Sequence, residues 1–193
     1  MDDLSDYFNK TLTEIAHQIL KISKVINWND ISNLIDLILN TKDNGKIIFV
    51  YGAGRSGFIG RCFAQRLMHL DLKSCFISDT ITHRYTKDDL LIIISGSGET
   101  VSPFAISKKA KDIGGKLGLL TNNPKSSIGK LADIIIKVEA KSKDKAIDLN
   151  SLAPYTSLFD ITVLSILDSI GAVLMKKLGV TEKNIDNYHA SLE

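Results

Sequence analysis

The sequence predicts an α/β fold, a parallel sheet covered by helices on both faces and preceded by a pair of helices. Two observations carry this. Beyond Gly45, five short β-branched or aliphatic runs alternate with stretches of helical periodicity, and most of those runs are nearly continuous in apolar character. That is the pattern of strands buried on both faces and joined by right-handed βαβ crossovers. Before Gly45, apolar residues recur at three- and four-residue steps, the signature of amphipathic helices.

In order along the chain, Leu12, Ile15, Ile19, Ile22 and Ile26, then Ile31, Leu34, Ile35 and Ile38, give two helices between positions 6 and 39. Asn29-Asp30 supplies a capping signal for the second, and Asp43-Asn44-Gly45 ends the pair with a turn. Strands are expected at 46–51, 73–77, 90–94, 116–120 and 133–138, with helices at 58–70, 101–113 and, briefly, 126–131. The interval 78–88 has no helical periodicity, so this crossover is expected to be irregular or only briefly helical. Positions 141–150 form a polar, charge-rich stretch expected to be an exposed loop. A strongly apolar helix from about 155 to 178 and a short last helix over 181–188 follow. With no repeat, low-complexity tract or second core, 1–193 reads as one domain: helices over 1–44, a sheet core over 45–140, and a loop with C-terminal helices over 141–193.

Composition excludes several classes. A hydrophobic share of 44% and a charged share of 24% set aside disorder, collagen-like and disulfide-scaffold chains. The net charge is +2, with Lys and Arg scattered or paired with acids, which argues against a nucleic-acid partner. Cys62 and Cys75 sit in apolar stretches without metal-ligand spacing and read as buried reduced thiols. The start is acidic and polar, unlike a signal peptide, and no uninterrupted apolar run approaches the roughly 18 residues of a membrane span. A cytoplasmic protein without a membrane partner is expected.

Chemistry concentrates in two loops. Gly52-Ala53-Gly54-Arg55-Ser56-Gly57 leaves the first strand and enters a helix, so backbone amides, the Ser56 hydroxyl and the positive end of a helix dipole are offered together to an anion. A dinucleotide fingerprint is poorly supported, because a convincing acidic ribose partner is missing, and no Gly-Lys-Ser/Thr of a Walker loop occurs. Ser95-Gly96-Ser97-Gly98-Glu99-Thr100 repeats the arrangement after the third strand, with three hydroxyls. Taken singly, either loop is better read as a tight turn of residues that punctuate chains. Taken together after two strands that neighbour each other, they point to one small phosphate held by Gly54, Arg55, Ser56, Ser95, Ser97 and Thr100.

These loops, the stretches GAGRSGFIGRCFAQRLMHL and DDLLIIISGSGET, and the ending YHASLE resemble the sugar-isomerase (SIS) domain family, and within it the 6-phospho-3-hexuloisomerases. The resemblance spans the chain from its N-terminal helices to its end. It implies a three-layer, flavodoxin-like α/β/α fold with a five-stranded parallel sheet, a homotetramer with active sites at subunit interfaces, and no metal or coenzyme. It also implies interconversion of arabino-3-hexulose 6-phosphate and fructose 6-phosphate. Two further readings are a related aldose–ketose isomerase, such as one acting on arabinose 5-phosphate, and a sugar-phosphate sensor without catalysis.

Moving a carbonyl from C3 to C2 needs a base at carbon and an acid at the enediolate oxygen. The family carries a glutamate in a Pro-Met-Gly-Thr-x-Phe-Glu pattern, which here reads Pro154-Tyr155-Thr156-Ser157-Leu158-Phe159-Asp160. Asp160 thus takes the glutamate's place one methylene short, the alternative being a first-turn residue favoured by the helix dipole. His189 takes the imidazole role through its Tyr-His-Ala-Ser-Leu-Glu context, the alternative being an exposed terminal histidine. Arg55 is expected to pair with phosphate or with a neighbouring subunit's acid. Glu99 is expected at the first helical turn or toward the sugar, and His17 and His69 read as structural.

Overall fold

The computed structural model describes residues 3–140 and 151–185. Helices α1 (Asp3–Val25) and α2 (Trp28–Asp43) precede β1 (Ile48–Gly52), α3 (Arg55–His69), β2 (Ser74–Phe76), β3 (Leu90–Ile94), α4 (Val101–Ile113), β4 (Lys116–Thr121), β5 (Ile134–Lys137), α5 (Ser157–Leu178) and α6 (Glu182–Ile185). The five strands pair in parallel in the order β2-β1-β3-β4-β5. That flavodoxin-like order reverses direction between β1 and β3, the point where ligands of open α/β sheets bind.

Side chains alternate between two apolar layers. Ile48, Val50, Leu90, Ile92, Ile94 and Leu120 point into the cluster built with α2, α3 and α5, whereas Phe49, Leu91, Ile93, Leu117 and Leu119 point into the cluster under α4. Every residue of β3, the central strand, is buried, which explains why its sequence carries no polar alternation. Helix α5 is long and apolar enough to cross a bilayer by composition. Here Phe159, Val163, Leu167, Ile170 and Leu174 instead fill the first cluster, so its length serves the core.

Several expectations need correction. The second helix is capped by Asn27, whose side chain accepts from the Asn29 amide, and not by Asn29-Asp30. The stretch 126–131 forms turns instead of a helix. Its amides are divided: Ile128 N–H donates across the fold to the Gly98 carbonyl at 3.2 Å, whereas Gly129 N–H donates locally to Ser126 Oγ at 3.1 Å and Lys130 N–H to the Ser126 carbonyl at 3.0 Å. Cys62 is exposed and Cys75 half-buried, because Cys62 precedes the inward-facing Phe63 and Ala64 by one or two positions and rotates off that face. The interval 78–88 is irregular, as its lack of periodicity predicts. The end of the last expected helix, together with His189, lies outside the described residues, as does the polar stretch 141–150.

Candidate active site

Residues Gly52 and Ile94 are paired across β1 and β3, so the two loops leave the sheet at the same level and side by side. The first loop is shorter than the sequence suggests, because α3 already begins at Arg55. Its tightness rests on two glycines: a Cβ on Gly52 would lie 2.8 Å from the Ser56 carbonyl carbon, and one on Gly57 would lie 2.7 Å from the Gly52 oxygen. Gly54, at φ 57° and ψ −130°, makes the turn into the helix. In the second loop Gly98 has φ 67° and sits so close to Ser126 that a Cβ would collide with its hydroxyl. Neither α3 nor α4 is capped by a side-chain hydrogen bond at Gly54 or Thr100. Both helices therefore present their first-turn amides and positive dipole ends to the space between the loops.

That space is a cleft of about 310 Å³ lined by Gly54, Arg55, Ser56, Ser95, Gly96, Ser97 and Thr100, with Tyr155, Thr156 and Phe159 from the segment entering α5. All six residues expected to hold phosphate line it. The serine hydroxyls of the second loop are oriented by the backbone. Ser95 Oγ accepts from Gly98 N–H at 3.2 Å and Ser97 Oγ from Glu99 N–H at 3.2 Å, which leaves each hydroxyl proton to donate elsewhere. Glu99 turns away from the anion site. Hydrogen bonds from the Ser127 side chain and amide hold its exposed carboxyl below the usual carboxylate range.

Asp160 is only 1% exposed and lies behind this cleft. Its Oδ2 accepts from Arg55 Nε at 3.0 Å and from the Thr156 hydroxyl at 2.7 Å, while Oδ1 accepts from the Ser56 hydroxyl at 3.1 Å. Arg55 thus pairs with an acid of its own chain, although its side chain remains 62% exposed. The carboxylate joins the first loop to α5 and sets the direction of two groups expected at the phosphate. Among the described residues, no group of three or more His, Cys, Asp and Glu gathers as a metal would require.

The profile of the SIS domain matches residues 43–165, which takes in both loops and the start of α5. The chain belongs to the SIS domain family. Among its SIS relatives, the 3-hexulose-6-phosphate isomerase of Methanocaldococcus jannaschii is 39% identical over 178 residues, 92% of this chain and 94% of that protein. The 3-hexulose-6-phosphate isomerase of Bacillus subtilis is 37% identical over 94% of this chain and 97% of its own. A crystal structure from Methanococcus jannaschii, for which a function of 3-hexulose-6-phosphate isomerase was inferred, superposes with a TM-score of 0.83 at 39% identity, covering 95% of this chain and 99% of that one.

Sequence reasoning did not assign Tyr155 a place in this SIS cleft. It is 58% exposed, lines the cleft, and holds φ 35°, a left-handed conformation unusual for an aromatic residue. Glycine or asparagine would have signalled such a turn; tyrosine gives no local hint. Thr156, noticed only as a departure from the family pattern, turns out to hold Asp160. His83 is exposed on the irregular crossover and is not among the residues lining the cleft.

Proposed function

We propose that the chain interconverts arabino-3-hexulose 6-phosphate and fructose 6-phosphate by proton transfer through an enediol. The supporting observation is the convergence of two hydroxyl-bearing, strand-to-helix loops on one cleft at the sheet's switch point, in a chain similar along nearly its whole length to isomerases of that name. In this reading the first-turn amides of α3 and α4, Gly54, and the hydroxyls of Ser56, Ser95, Ser97 and Thr100 hold the phosphate, with Arg55 adding charge.

The sugar then extends toward Tyr155 and Thr156. A base removes the proton from C2 of the 3-ketose and the electron pair forms the 2,3-enediolate, charged at the C3 oxygen; the proton of the C2 hydroxyl is passed to the C3 oxygen, and the base returns its proton to C3, leaving the 2-ketose. Asp160 takes the carbon proton in our assignment. The incoming phosphate competes for Arg55 and Ser56, and drawing those two donors away frees carboxylate oxygens of Asp160 to which they donate. His189 handles the oxygen proton, reaching the cleft of a neighbouring subunit in a homotetramer. Catalysis by one domain, in the cytoplasm and without metal or coenzyme, completes the proposal; unpaired Cys62 and Cys75 fit a reducing compartment.

The test is direct. Purified protein given 3-hexulose 6-phosphate should produce fructose 6-phosphate and should wash deuterium from solvent into the carbon-bound position. Folded protein that does neither is not this isomerase, and turnover of arabinose 5-phosphate in its place reassigns the substrate.

A further inference from the structure

The segment that delivers Tyr155 and Thr156 to the cleft is held from α1, far away in sequence. Glu14 Oε1 accepts from the Ser151 hydroxyl at 2.6 Å, and Oε2 accepts from the amides of Leu152 at 2.8 Å and Ala153 at 2.9 Å. Donors on three consecutive residues therefore converge on one half-buried carboxylate. One helical turn further along α1, Gln18 Nε2 donates to the Glu139 carbonyl at 2.7 Å, so the same face of the helix also holds the chain leaving β5.

Two residues after Ala153, Tyr155 adopts φ 35°. A side chain stays in that region only where its surroundings over-determine it. Downstream, the surroundings are the first turn of α5, where Ser157 N–H donates to the Pro154 carbonyl at 2.9 Å and Thr156 is tied to Asp160 at 2.7 Å. Upstream, they are the three bonds to Glu14. The phosphate loops at 52–56 and 95–100 make no hydrogen bond to Glu14 among those described.

We propose that Glu14 is a positioning residue of the cleft: by anchoring Ser151, Leu152 and Ala153 it fixes the entry to the turn at 154–156 and keeps Tyr155 over the sugar end of the substrate site. The role needs acceptors, not charge alone. Glutamine meets the demand, since its amide oxygen accepts from both backbone N–H groups and its amide nitrogen donates to the Ser151 hydroxyl, which then serves as acceptor. Alanine offers nothing. The kinetic expression of this anchor rests on the isomerase reading; the anchor itself does not.

Steady-state kinetics with 3-hexulose 6-phosphate, and inorganic phosphate as competitive inhibitor, test the proposal in Glu14→Ala, Glu14→Gln, Tyr155→Ala and the Glu14→Ala/Tyr155→Ala double variant. Glu14→Ala should lose roughly ten- to a hundredfold in kcat/KM, the scale of an ångström-sized misplacement. Glu14→Gln should stay within about threefold of the parent, and the phosphate inhibition constant should change by less than about twofold throughout. Adding Glu14→Ala to Tyr155→Ala should cost little more, because the first acts through the second. A purely structural role predicts otherwise: equal losses in turnover and phosphate binding, or additive losses in the double variant, and either result overturns the proposal. Hydrogen exchange over residues 152–157 supplies a readout independent of turnover, expected to quicken in Glu14→Ala and not in Glu14→Gln. If the parent protein turns over no sugar phosphate, the isomerase reading falls, while unchanged exchange in Glu14→Ala removes the anchor. Should Glu14→Ala fail to fold, Ser151→Ala deletes one of the three donors and must show faster exchange of the same segment; parent-like exchange there overturns the proposal as well.

Discussion

At Asp160, three donors from two distant parts of the chain meet one buried carboxylate, and the consequence is that Arg55 and Ser56 cannot choose their directions independently. Replacing Asp160 by Asn keeps the volume but puts an N–H₂ where at least one of these donors expects an acceptor. We expect Asp160→Asn to lower turnover by roughly a hundred- to ten-thousandfold, the usual worth of a proton-transfer group, with a far smaller change in phosphate affinity. Isothermal titration beside the turnover assay checks this, and parent-like turnover would remove Asp160 from the chemistry. The position of Asp160 was legible in the sequence because it stands at the start of an apolar helix in a recognisable pattern. Its partners were not, since Arg55 and Ser56 lie 105 and 104 residues away and only the folded sheet brings them within hydrogen-bond reach.

At the scale of elements, Asp133 ties the turn before β5 to the end of α4 and the start of β4. Its carboxylate accepts from Lys111 Nζ and the Leu117 amide, with Lys116 also near. Burial alone would push this carboxyl up, but the Lys111 hydrogen bond, the Leu117 amide and the two lysine charges together outweigh it and hold the group below its ordinary value. A folded-state value below the unfolded one means the stabilisation is complete above the ordinary carboxylate range, near pH 4, and is lost as pH falls through the folded value. Asp133→Asn should therefore cost about 1 kcal/mol near neutrality, a modest figure because the group is partly solvated. In urea titrations the gap between variant and parent should narrow in acid, and a gap independent of pH would contradict the assignment. Strand 90–94 and helix 101–113 were legible to the residue because their apolar periods are strong and glycines or hydroxyl residues bound them. The helix expected at 126–131 is interrupted where the Ile128 amide donates to the Gly98 carbonyl, a tertiary demand that no local window contains.

For the whole molecule, the alternation of strands and helices foretold a parallel sheet, and the resemblance foretold its order; the residues alone do not say which strands are neighbours. The proposed tetramer has support in the outward face of α1, where Leu4, Tyr7, Phe8 and Leu12 recur at helical spacing and are 75%, 53%, 66% and 55% exposed. Sedimentation equilibrium should return four chain masses, and replacing Tyr7 and Phe8 by polar residues should lower that mass; a single-chain mass for the parent would end the proposal. Both margins of the sheet are brief, three residues in β2 and four in β5, so little open backbone is offered for another chain to zip onto. In the proposed tetramer, copies would then meet through side chains and not by lengthening the sheet, which confines association to chosen surfaces and guards a sheet of aliphatic strands against runaway stacking.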